Sequence, residues 1–313
     1  MIRVFIDGKA GTTGLRIYER LEKRDDVSVI SLSERFRKDP AARKEAMNDA
    51  DVVFLCLPDD AAREAAAFVE NPATVVIDAS TAHRTAEGWA YGFAELSAAH
   101  RARIRSSKRI ANPGCYASGF LALVYPLIAS GVASAETRFV CHAVSGYSGA
   151  GNKGIAQYEA AERDASLKTP RLYALGLSHK HIPEMMQVSG LKRKPVFNPY
   201  ICDFYSGMSV SVPVFLCDLR AGTSVASLEE LYRAQYAGSR FLSVSRSEDG
   251  YIAANALVGS NRMQIFVNGN EEQALLTACF DNLGKGASGA AVQNMNLALG
   301  LDEGKGLDEG AGV

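Results

Sequence analysis

The sequence lacks three features that define large classes of proteins. Its longest apolar stretches, such as residues 120–131, are shorter than the roughly 20 residues that cross a bilayer. Its 34 basic and 35 acidic side chains give a net charge of −1, so no positive excess indicates nucleic acid or an anionic membrane as a partner. Its six cysteines form no CxxC pair, which predicts buried free thiols and neither a disulfide framework nor a metal site.

What the sequence does contain is typical of a two-domain enzyme. Its 313 residues exceed the usual size of one core, and its composition of 47% hydrophobic and 22% charged residues is that of a globular protein. A strand pattern follows Met1 directly and leaves no room for a signal or transit peptide. We therefore expect a cytoplasmic protein.

The first hundred residues alternate apolar strands with helices. The strand patterns lie at 3–7, 27–32, 51–57 and 75–78, and helices are predicted to about residue 23 and at 41–48 and 61–70. This alternation predicts an α/β fold, with a parallel sheet and right-handed crossovers, of the Rossmann-like kind that binds nucleotides.

The pattern changes from about residue 137 onward. Strand-length segments now dominate, at 137–145, 209–218, 251–258 and 262–268. With few helices between them, they predict an α+β domain with a mostly antiparallel sheet. We predict a nucleotide domain of residues 1–114 plus 283–301, a substrate and oligomerisation domain of 115–282, and a flexible tail of 302–313.

A glycine-rich loop joins the first strand to the first helix. It reads DGKAGTTG at 7–14, and glycines let a backbone approach a pyrophosphate while the helix N-terminus supplies N–H donors. The residues expected to bind the cofactor here are Gly8, Gly11, Thr12, Thr13 and Gly14. A glycine-rich turn that serves only helix packing is the alternative.

The end of the second strand should lie near the adenosine ribose. Ser33 and Arg35 favour NADP, because an arginine accommodates a 2′-phosphate, whereas Glu34 would favour a free 2′-hydroxyl. A solvated charge cluster is the competing interpretation. We expect NADP as the cofactor.

Cys115 differs from the other cysteines in its setting. It follows the turn formed by Pro113 and Gly114 and precedes a strongly helical run at 118–128, so it should lie near a helix N-terminus. There the dipole and the amides favour the thiolate, and the same amides could hold an oxyanion. This pattern predicts a covalent nucleophile.

A thiolate nucleophile needs an acid/base partner. The segment HKHIPE at 179–184 brings together His179, Lys180, His181 and Glu184, although a basic surface cluster or a metal site could share that pattern. We expect a catalytic histidine here and favour His179 over His181.

Several of these segments together resemble the N-acetyl-gamma-glutamyl-phosphate reductase family, in the shorter of its two subtypes. They are DGKAGTTG at 7–14, NPGCY at 112–116, SGYSGAG at 145–151, HKHIPE at 179–184, DNLGKGASG at 281–289 and AVQN at 291–294. The resemblance covers about residues 1–301 and implies a semialdehyde dehydrogenase-like fold.

The resemblance implies a reaction and site roles. Cys115 would attack N-acetyl-gamma-glutamyl phosphate and expel phosphate, and NADPH would reduce the resulting thioester to the semialdehyde, a step of arginine biosynthesis. The implied substrate-binding residues are Asn112, Ser145, Gly146, Lys180 and Glu184, and Asn282 and Lys285 would lie near the nicotinamide. Cations that could hold the substrate anions are Lys180, Arg84, Lys153 and Arg262. A homodimer or homotetramer is expected.

Two other functions remain open at this point. Aspartate-semialdehyde dehydrogenase, or a reductase of N-acetyl-aminoadipyl phosphate, would share the chemistry and differ only in the pocket. A non-catalytic nucleotide sensor would keep the first domain but would need neither Cys115 nor the HKH segment.

Overall fold

The computed structural model describes residues 1–307, which fold into two compact units. Unit 1 contains residues 1–94, 98–113 and 287–307, and unit 2 contains residues 95–97 and 114–286. The domain boundaries predicted from the sequence, after residue 114 and before residue 283, stay a prediction.

Thirteen strands and nine α-helices are assigned within the described residues. The strands are β1 (Ile2–Asp7), β2 (Val27–Ile30), β3 (Val52–Leu55), β4 (Val75–Asp78), β5 (Ala90–Tyr91), β6 (Arg109–Ala111), β7 (Val140–Gly146), β8 (Arg171–Leu172), β9 (Val196–Cys202), β10 (Met208–Phe215), β11 (Leu242–Ser245), β12 (Met263–Gly269) and β13 (Gln273–Phe280). The helices are α1 (Thr12–Leu21), α2 (Pro40–Asp49), α3 (Asp59–Phe68), α4 (Ala98–Ser106), α5 (Cys115–Ala129), α6 (Gly151–Tyr158), α7 (Ile182–Ser189), α8 (Val225–Gln235) and α9 (Gly289–Ala298).

Unit 1 is built on a parallel sheet in the order β2-β1-β3-β4-β6-β5. Side chains alternate between its two faces, so Val4 and Ile6 enter one core and Phe5 enters the other. Helices α2 and α3 cover the Phe5 face through residues such as Met47. On the opposite face α1 packs beside α9, whose Met295 is fully buried. The α/β prediction for this region is confirmed, and α9 packs on the same unit.

Unit 2 is built on a seven-stranded mixed sheet in the order β11-β12-β13-β10-β7-β9-β8. Four of its six pairings are antiparallel, as predicted. Helix α5 lies on β10 and β13, and a Cβ atom at Gly119 would be only 2.5 Å from Cγ2 of Val210. Glycine at 119 therefore allows the helix that begins at Cys115 to lie close against the sheet.

Two details of the second region differ from the predictions. Residues 251–258 form turns instead of a strand, because their backbone hydrogen bonds close locally, from Ala256 to the carbonyl of Ala253 and from Val258 to the carbonyl of Asn255. Four α-helices, α5 to α8, lie in this unit where few were expected.

Part of the predicted tail makes specific contacts in unit 1. Glu303 pairs with Arg101 at 2.7 Å, and Lys305 pairs with Asp26 at 2.9 Å. Residues 302–307 are thus held against the unit, and the remainder of the predicted tail, 308–313, lies outside the described residues.

Candidate active site

The glycine loop of unit 1 requires glycine for steric reasons. Gly8 has φ +84°, and a Cβ atom there would lie 2.2 Å from the carbonyl oxygen of Cys56. A Cβ atom at Gly14 would lie 2.5 Å from the oxygen of Gly8. These contacts bring the loop close to β3 and keep α1 close to the loop, as the dinucleotide-binding motif requires.

The N-terminus of α1 is suited to an anion. Gly11 is the N-cap and supplies no side-chain acceptor, and the first turn contains no acidic residue. Thr12 and Thr13 are the first two residues of the helix. The N–H groups of such a turn point outward and favour a phosphate.

A cavity of about 570 Å³ adjoins this loop within unit 1. It extends from the loop past the end of β2 to α2, and four cationic residues contribute to its wall: Lys9, Arg37, Lys38 and Arg43. Ser31 and Glu34 line it as well, whereas Ser33 and Arg35 are exposed beside it and are absent from the described lining.

Two of the cavity cations are already paired. Arg43 contacts the buried carboxylate of Asp7 at 2.7 Å, and Arg37 contacts the exposed carboxylate of Glu34 at 3.0 Å. The Arg43 pair fixes the carboxyl end of β1, since both charges are largely removed from water. The glycine contacts, the α1 N-terminus and the cationic wall together fit a phosphorylated dinucleotide.

In unit 2, Cys115 is the first residue of α5 and is partly buried. The N-cap Gly114 has extended backbone angles and no side-chain cap, and no acid lies in the first turn. This is the setting that favours a thiolate. Gly286 lies beside Cys115, since a Cβ atom at 286 would be 3.0 Å from Cβ of Cys115.

The turn before Cys115 begins at Asn112, which lies in unit 1 and is fixed there by hydrogen bonds. Asn112 receives a hydrogen bond from Asn294 at 3.1 Å and donates its own amide to the carbonyl of Ala287 at 3.0 Å. Arg84 donates to the carbonyl of Asn112 at 3.0 Å. Asn112 is buried, so these contacts give it a structural role three residues before Cys115.

The two histidines of the HKH segment lie together against Tyr116. The ring centroids of His179 and His181 are 4.7 Å apart, and each lies within 6 Å of the Tyr116 ring. The backbone N–H of His181 donates to Nδ1 of His179 at 3.1 Å, and Nε2 of His179 lies 3.4 Å from the hydroxyl of Tyr173. Because Nδ1 accepts, the proton of neutral His179 is on Nε2.

Tyr116 and Tyr173 are site residues that the sequence analysis missed. Burial raises the pKa of both phenols, and the nearby negative charge of a Cys115 thiolate would raise it as well. The only available signal for Tyr116 was its position directly after the cysteine. Tyr173 lies 58 residues from Cys115 in the chain, and no local pattern could have indicated it.

The other two members of the HKHIPE segment separate in space. Lys180 is exposed, whereas Glu184 is 1% exposed on α7. Oε2 of Glu184 accepts the N–H of Gly114 at 3.1 Å. The segment therefore carries one exposed cation and one buried carboxylate that accepts the backbone N–H directly before Cys115.

The loop that follows β7 is tied down by Asn282. The amide of Asn282 donates to Oγ of Ser148 at 2.9 Å and accepts the N–H of Gly207 at 2.8 Å. Ser145 is buried and donates to the carbonyl of Gly146. In the structure, the hydrogen bonds of Asn282 go to Ser148, in the loop that is predicted to bind substrate, and to Gly207. A position of Asn282 near the nicotinamide stays a prediction.

Lys285 is buried in unit 2 within a π-helix at Gly284–Ser288. Its Nζ lies 2.7 Å from Oε1 of Glu95, with side-chain exposures of 3% and 2%. The ammonium group is engaged inside the protein, and its predicted contact with the cofactor stays a prediction.

All six cysteines are free thiols. Burial raises the pKa of four of them, to about 12 for Cys56 and about 11 for Cys279 and in the same direction for Cys141 and Cys202. Cys217 is exposed. Within residues 1–307 no group of three or more metal-binding side chains occurs, and no helix is long and apolar enough to cross a membrane.

The chain matches two domain families in sequence. Residues 3–104 match the semialdehyde dehydrogenase NAD binding domain, and residues 115–282 match the semialdehyde dehydrogenase dimerisation domain.

Solved structures share the fold. Aspartate semialdehyde dehydrogenase II from Vibrio cholerae, complexed with ASA, superposes with a TM-score of 0.73 at 17% identity and covers 96% of this chain and 98% of its own. A probable aspartate-semialdehyde dehydrogenase from Pseudomonas aeruginosa gives 0.73 at 15% identity, with 95% and 98% covered. At such identities the likeness extends to the fold alone.

Sequence relatives are much closer. The N-acetyl-gamma-glutamyl-phosphate reductase of Trichormus variabilis is 45% identical over 318 residues, covering 97% of this chain and 99% of the relative. The protein named N-acetyl-gamma-glutamyl-phosphate reductase 2 of Pseudomonas putida is 47% identical over 305 residues, covering 95% and 96%. With Cys115 at the start of α5 and two histidines against Tyr116, the chain belongs to the N-acetyl-gamma-glutamyl-phosphate reductase family.

Proposed function

We propose that this protein is an NADP-dependent reductase that converts N-acetyl-gamma-glutamyl phosphate to N-acetylglutamate 5-semialdehyde and phosphate, in arginine biosynthesis. The observation that carries the proposal is Cys115 at the uncapped N-terminus of α5, in a chain of this family. A thiolate there attacks the acyl carbon, the bond from that carbon to the phosphate oxygen breaks, and a thioester forms as phosphate leaves.

The residues of the α5 turn also serve the later steps. NADPH, when bound, supplies the hydride that reduces the thioester carbon. The oxygen then carries negative charge, and N–H groups at a helix N-terminus are suited to stabilise it. Its collapse forms the aldehyde and breaks the carbon–sulfur bond, which regenerates the Cys115 thiolate.

His179 is our candidate for the proton donor. Its Nδ1 already accepts the N–H of His181, so Nε2 carries the proton that can be given or shared. Tyr173 holds that edge of the ring at 3.4 Å. His181 is buried and is the second candidate.

The cofactor would be held in unit 1. Gly8, Gly11 and Gly14 allow close approach, and the first residues Thr12 and Thr13 of α1 face the pyrophosphate. Lys9, Arg37 and Lys38 on the cavity wall support a preference for a 2′-phosphate over a free ribose. Ser33 and Arg35 stay predictions for the same subsite.

The substrate would be recognised in unit 2. Ser145 and Gly146 are the last two residues of β7, directly before the loop, and exposed Lys180 supplies a positive charge for a carboxylate or phosphate. Within unit 1, Arg84 fixes the backbone of Asn112 through the hydrogen bond to its carbonyl, and a substrate contact of Asn112 stays a prediction.

The experiment is a set of oxidation assays in the reverse direction, with phosphate and NADP⁺. N-acetylglutamate 5-semialdehyde should be oxidised, and aspartate semialdehyde and N-acetyl-aminoadipate semialdehyde should be poor substrates. Cys115→Ala should abolish turnover and retain NADPH binding, measured by NADPH fluorescence. Equal turnover in the variant, or a preference for another semialdehyde, would contradict the proposal.

We further propose a homodimer or homotetramer that associates through the open face of the unit 2 sheet. Four exposed apolar side chains lie on that face: Val140, Val196, Phe215 and Leu275. The family that matches this part of the chain is described as a dimerisation domain. Phe215→Glu should lower the mass measured by light scattering, whereas Tyr251→Glu, at another exposed aromatic, should not.

A cytoplasmic location is proposed because all six thiols are free, the state that a reducing compartment maintains.

A further inference from the structure

The helix that carries the nucleophile is capped by a carboxylate from another helix. Glu184 on α7 accepts the N–H of Gly114, the N-cap residue of α5, at 3.1 Å. The two residues are 70 positions apart, and α7 packs along α5. This carboxylate is therefore delivered by the tertiary fold to the peptide directly before Cys115.

This arrangement replaces the usual local cap. Helices commonly begin with Ser, Thr, Asp or Asn, whose side chain accepts an N–H of the first turn. Gly114 has no side chain, and the first turn of α5 has no acid. Glu184 instead takes the N–H of the N-cap residue itself, so the cap adds a negative charge without placing a bulky side chain at 114.

A buried carboxylate at this place opposes the effect of the helix. The α5 N-terminus favours the Cys115 thiolate, whereas a nearby negative charge disfavours it. Glu184 is 1% exposed, so solvent and salt screen that charge weakly. A thiol whose pKa is lowered too far loses nucleophilicity, and the best attacking thiol has a pKa near the working pH.

The other titratable groups around this turn do not supply the same charge. Burial raises the pKa of Tyr116 and Tyr173, which keeps both phenols neutral at physiological pH. Nδ1 of His179 accepts the backbone N–H of His181. Three more groups are His181, whose ring lies 4.7 Å from that of His179, Lys285, which is paired with Glu95, and Arg84, which donates to the carbonyl of Asn112.

We propose that Glu184 is a positioning residue for the reaction: through Gly114 it fixes the backbone that orients Cys115, and its charge limits how far the sulfur ionises. The sequence pattern predicts a substrate ligand at this position, and the two roles lead to different results. The inference rests on the proposed covalent role of Cys115.

The test measures the rate of iodoacetamide alkylation at Cys115 against pH, by mass mapping of its peptide. Glu184→Gln keeps an oxygen that can accept the Gly114 N–H and removes the charge. Its alkylation midpoint should fall by about 1 pH unit, and kcat should fall while KM for the semialdehyde stays within twofold. Glu184→Ala removes the acceptor as well, so kcat should fall further, by about tenfold or more beyond Glu184→Gln.

Glu230→Gln is the matched control, because Glu230 is an exposed carboxylate on α8 of the same unit. It should change neither the midpoint nor kcat. An unchanged midpoint in Glu184→Gln would overturn the proposal, and an unchanged midpoint with a tenfold rise in KM would assign Glu184 to the substrate. The alkylation curve needs no turnover, so its result is separate from the Cys115→Ala assay that tests the proposed function.

Discussion

The buried pair of Lys285 and Glu95 offers the sharpest test of the energetics of unit 2. The two charges are 2.7 Å apart and almost fully removed from water. Removal of one partner of such a pair leaves an uncompensated buried charge, which costs about 3 to 5 kcal/mol. Lys285→Met keeps most of the side-chain volume, so the loss should come from the charge left on Glu95.

An exposed pair in the same unit supplies the control. Arg193 and Glu136 are 2.8 Å apart with exposures of 58% and 52%, so Arg193→Met should cost about 0 to 1 kcal/mol. The measurement is urea unfolding followed by circular dichroism, with Trp89 fluorescence as a separate probe of unit 1, since the chain has one tryptophan.

A double variant completes the test. Glu95→Leu combined with Lys285→Met should recover much of the stability, because an apolar pair can replace a buried ion pair without penalty. Equal losses for Lys285→Met and Arg193→Met would refute the reasoning. Unchanged stability with weakened NADPH binding would instead support the cofactor role that the sequence predicts for Lys285.

Three further outcomes are expected. Iodoacetamide at pH 7 should modify Cys115 before exposed Cys217, because the helix N-terminus favours the thiolate; mass mapping that finds Cys217 modified first would count against the nucleophile. Asp26→Asn should lower the free energy of unfolding at pH 7 by about 1 to 2 kcal/mol, because Arg24 holds the pKa of Asp26 below its usual value. That stabilisation is present above the unfolded pKa and is lost as pH falls through the folded pKa, so the difference measured by urea unfolding should shrink below about pH 4; a constant difference would be inconsistent with the ion pair. Gly119→Ala should destabilise the protein by about 1 to 3 kcal/mol through overpacking against β10. The control Gly176→Ala, with no atom within 4 Å of its new Cβ, should leave the melting temperature unchanged. Equal effects of the two substitutions in thermal melts would argue against the close packing.

The parts of the fold that could be predicted are those whose signal is local. The β1 strand, the glycine loop and α1 follow one another in the chain, so strand pattern, turn chemistry and helix start agreed within 21 residues. Cys115 could be identified for the same reason, since Gly114 and the helix that follows are its neighbours. The 251–258 segment shows the limit, because its apolar pattern could not reveal that its backbone hydrogen bonds close locally in turns.

The parts of the site that could not be predicted depend on distant residues. Nothing near Lys285 indicates that Glu95, 190 positions away, takes its charge. Likewise, the HKHIPE segment gave no sign that Glu184 turns toward Gly114 while Lys180 stays exposed. Tertiary packing decides which side chains of a motif are accessible to a substrate. A short sequence motif carries no information about that packing.

The return of α9 to unit 1 has a consequence for how the protein is made. The core on one face of the parallel sheet includes Val4 and Ile6 from the start of the chain and Val292 and Met295 from near its end. During translation that face stays only partly covered, by α1 and α4, until all of unit 2 has left the ribosome. The nucleotide-binding half begins first and finishes last, so a nascent chain halted before residue 289 should present its apolar sheet to chaperones.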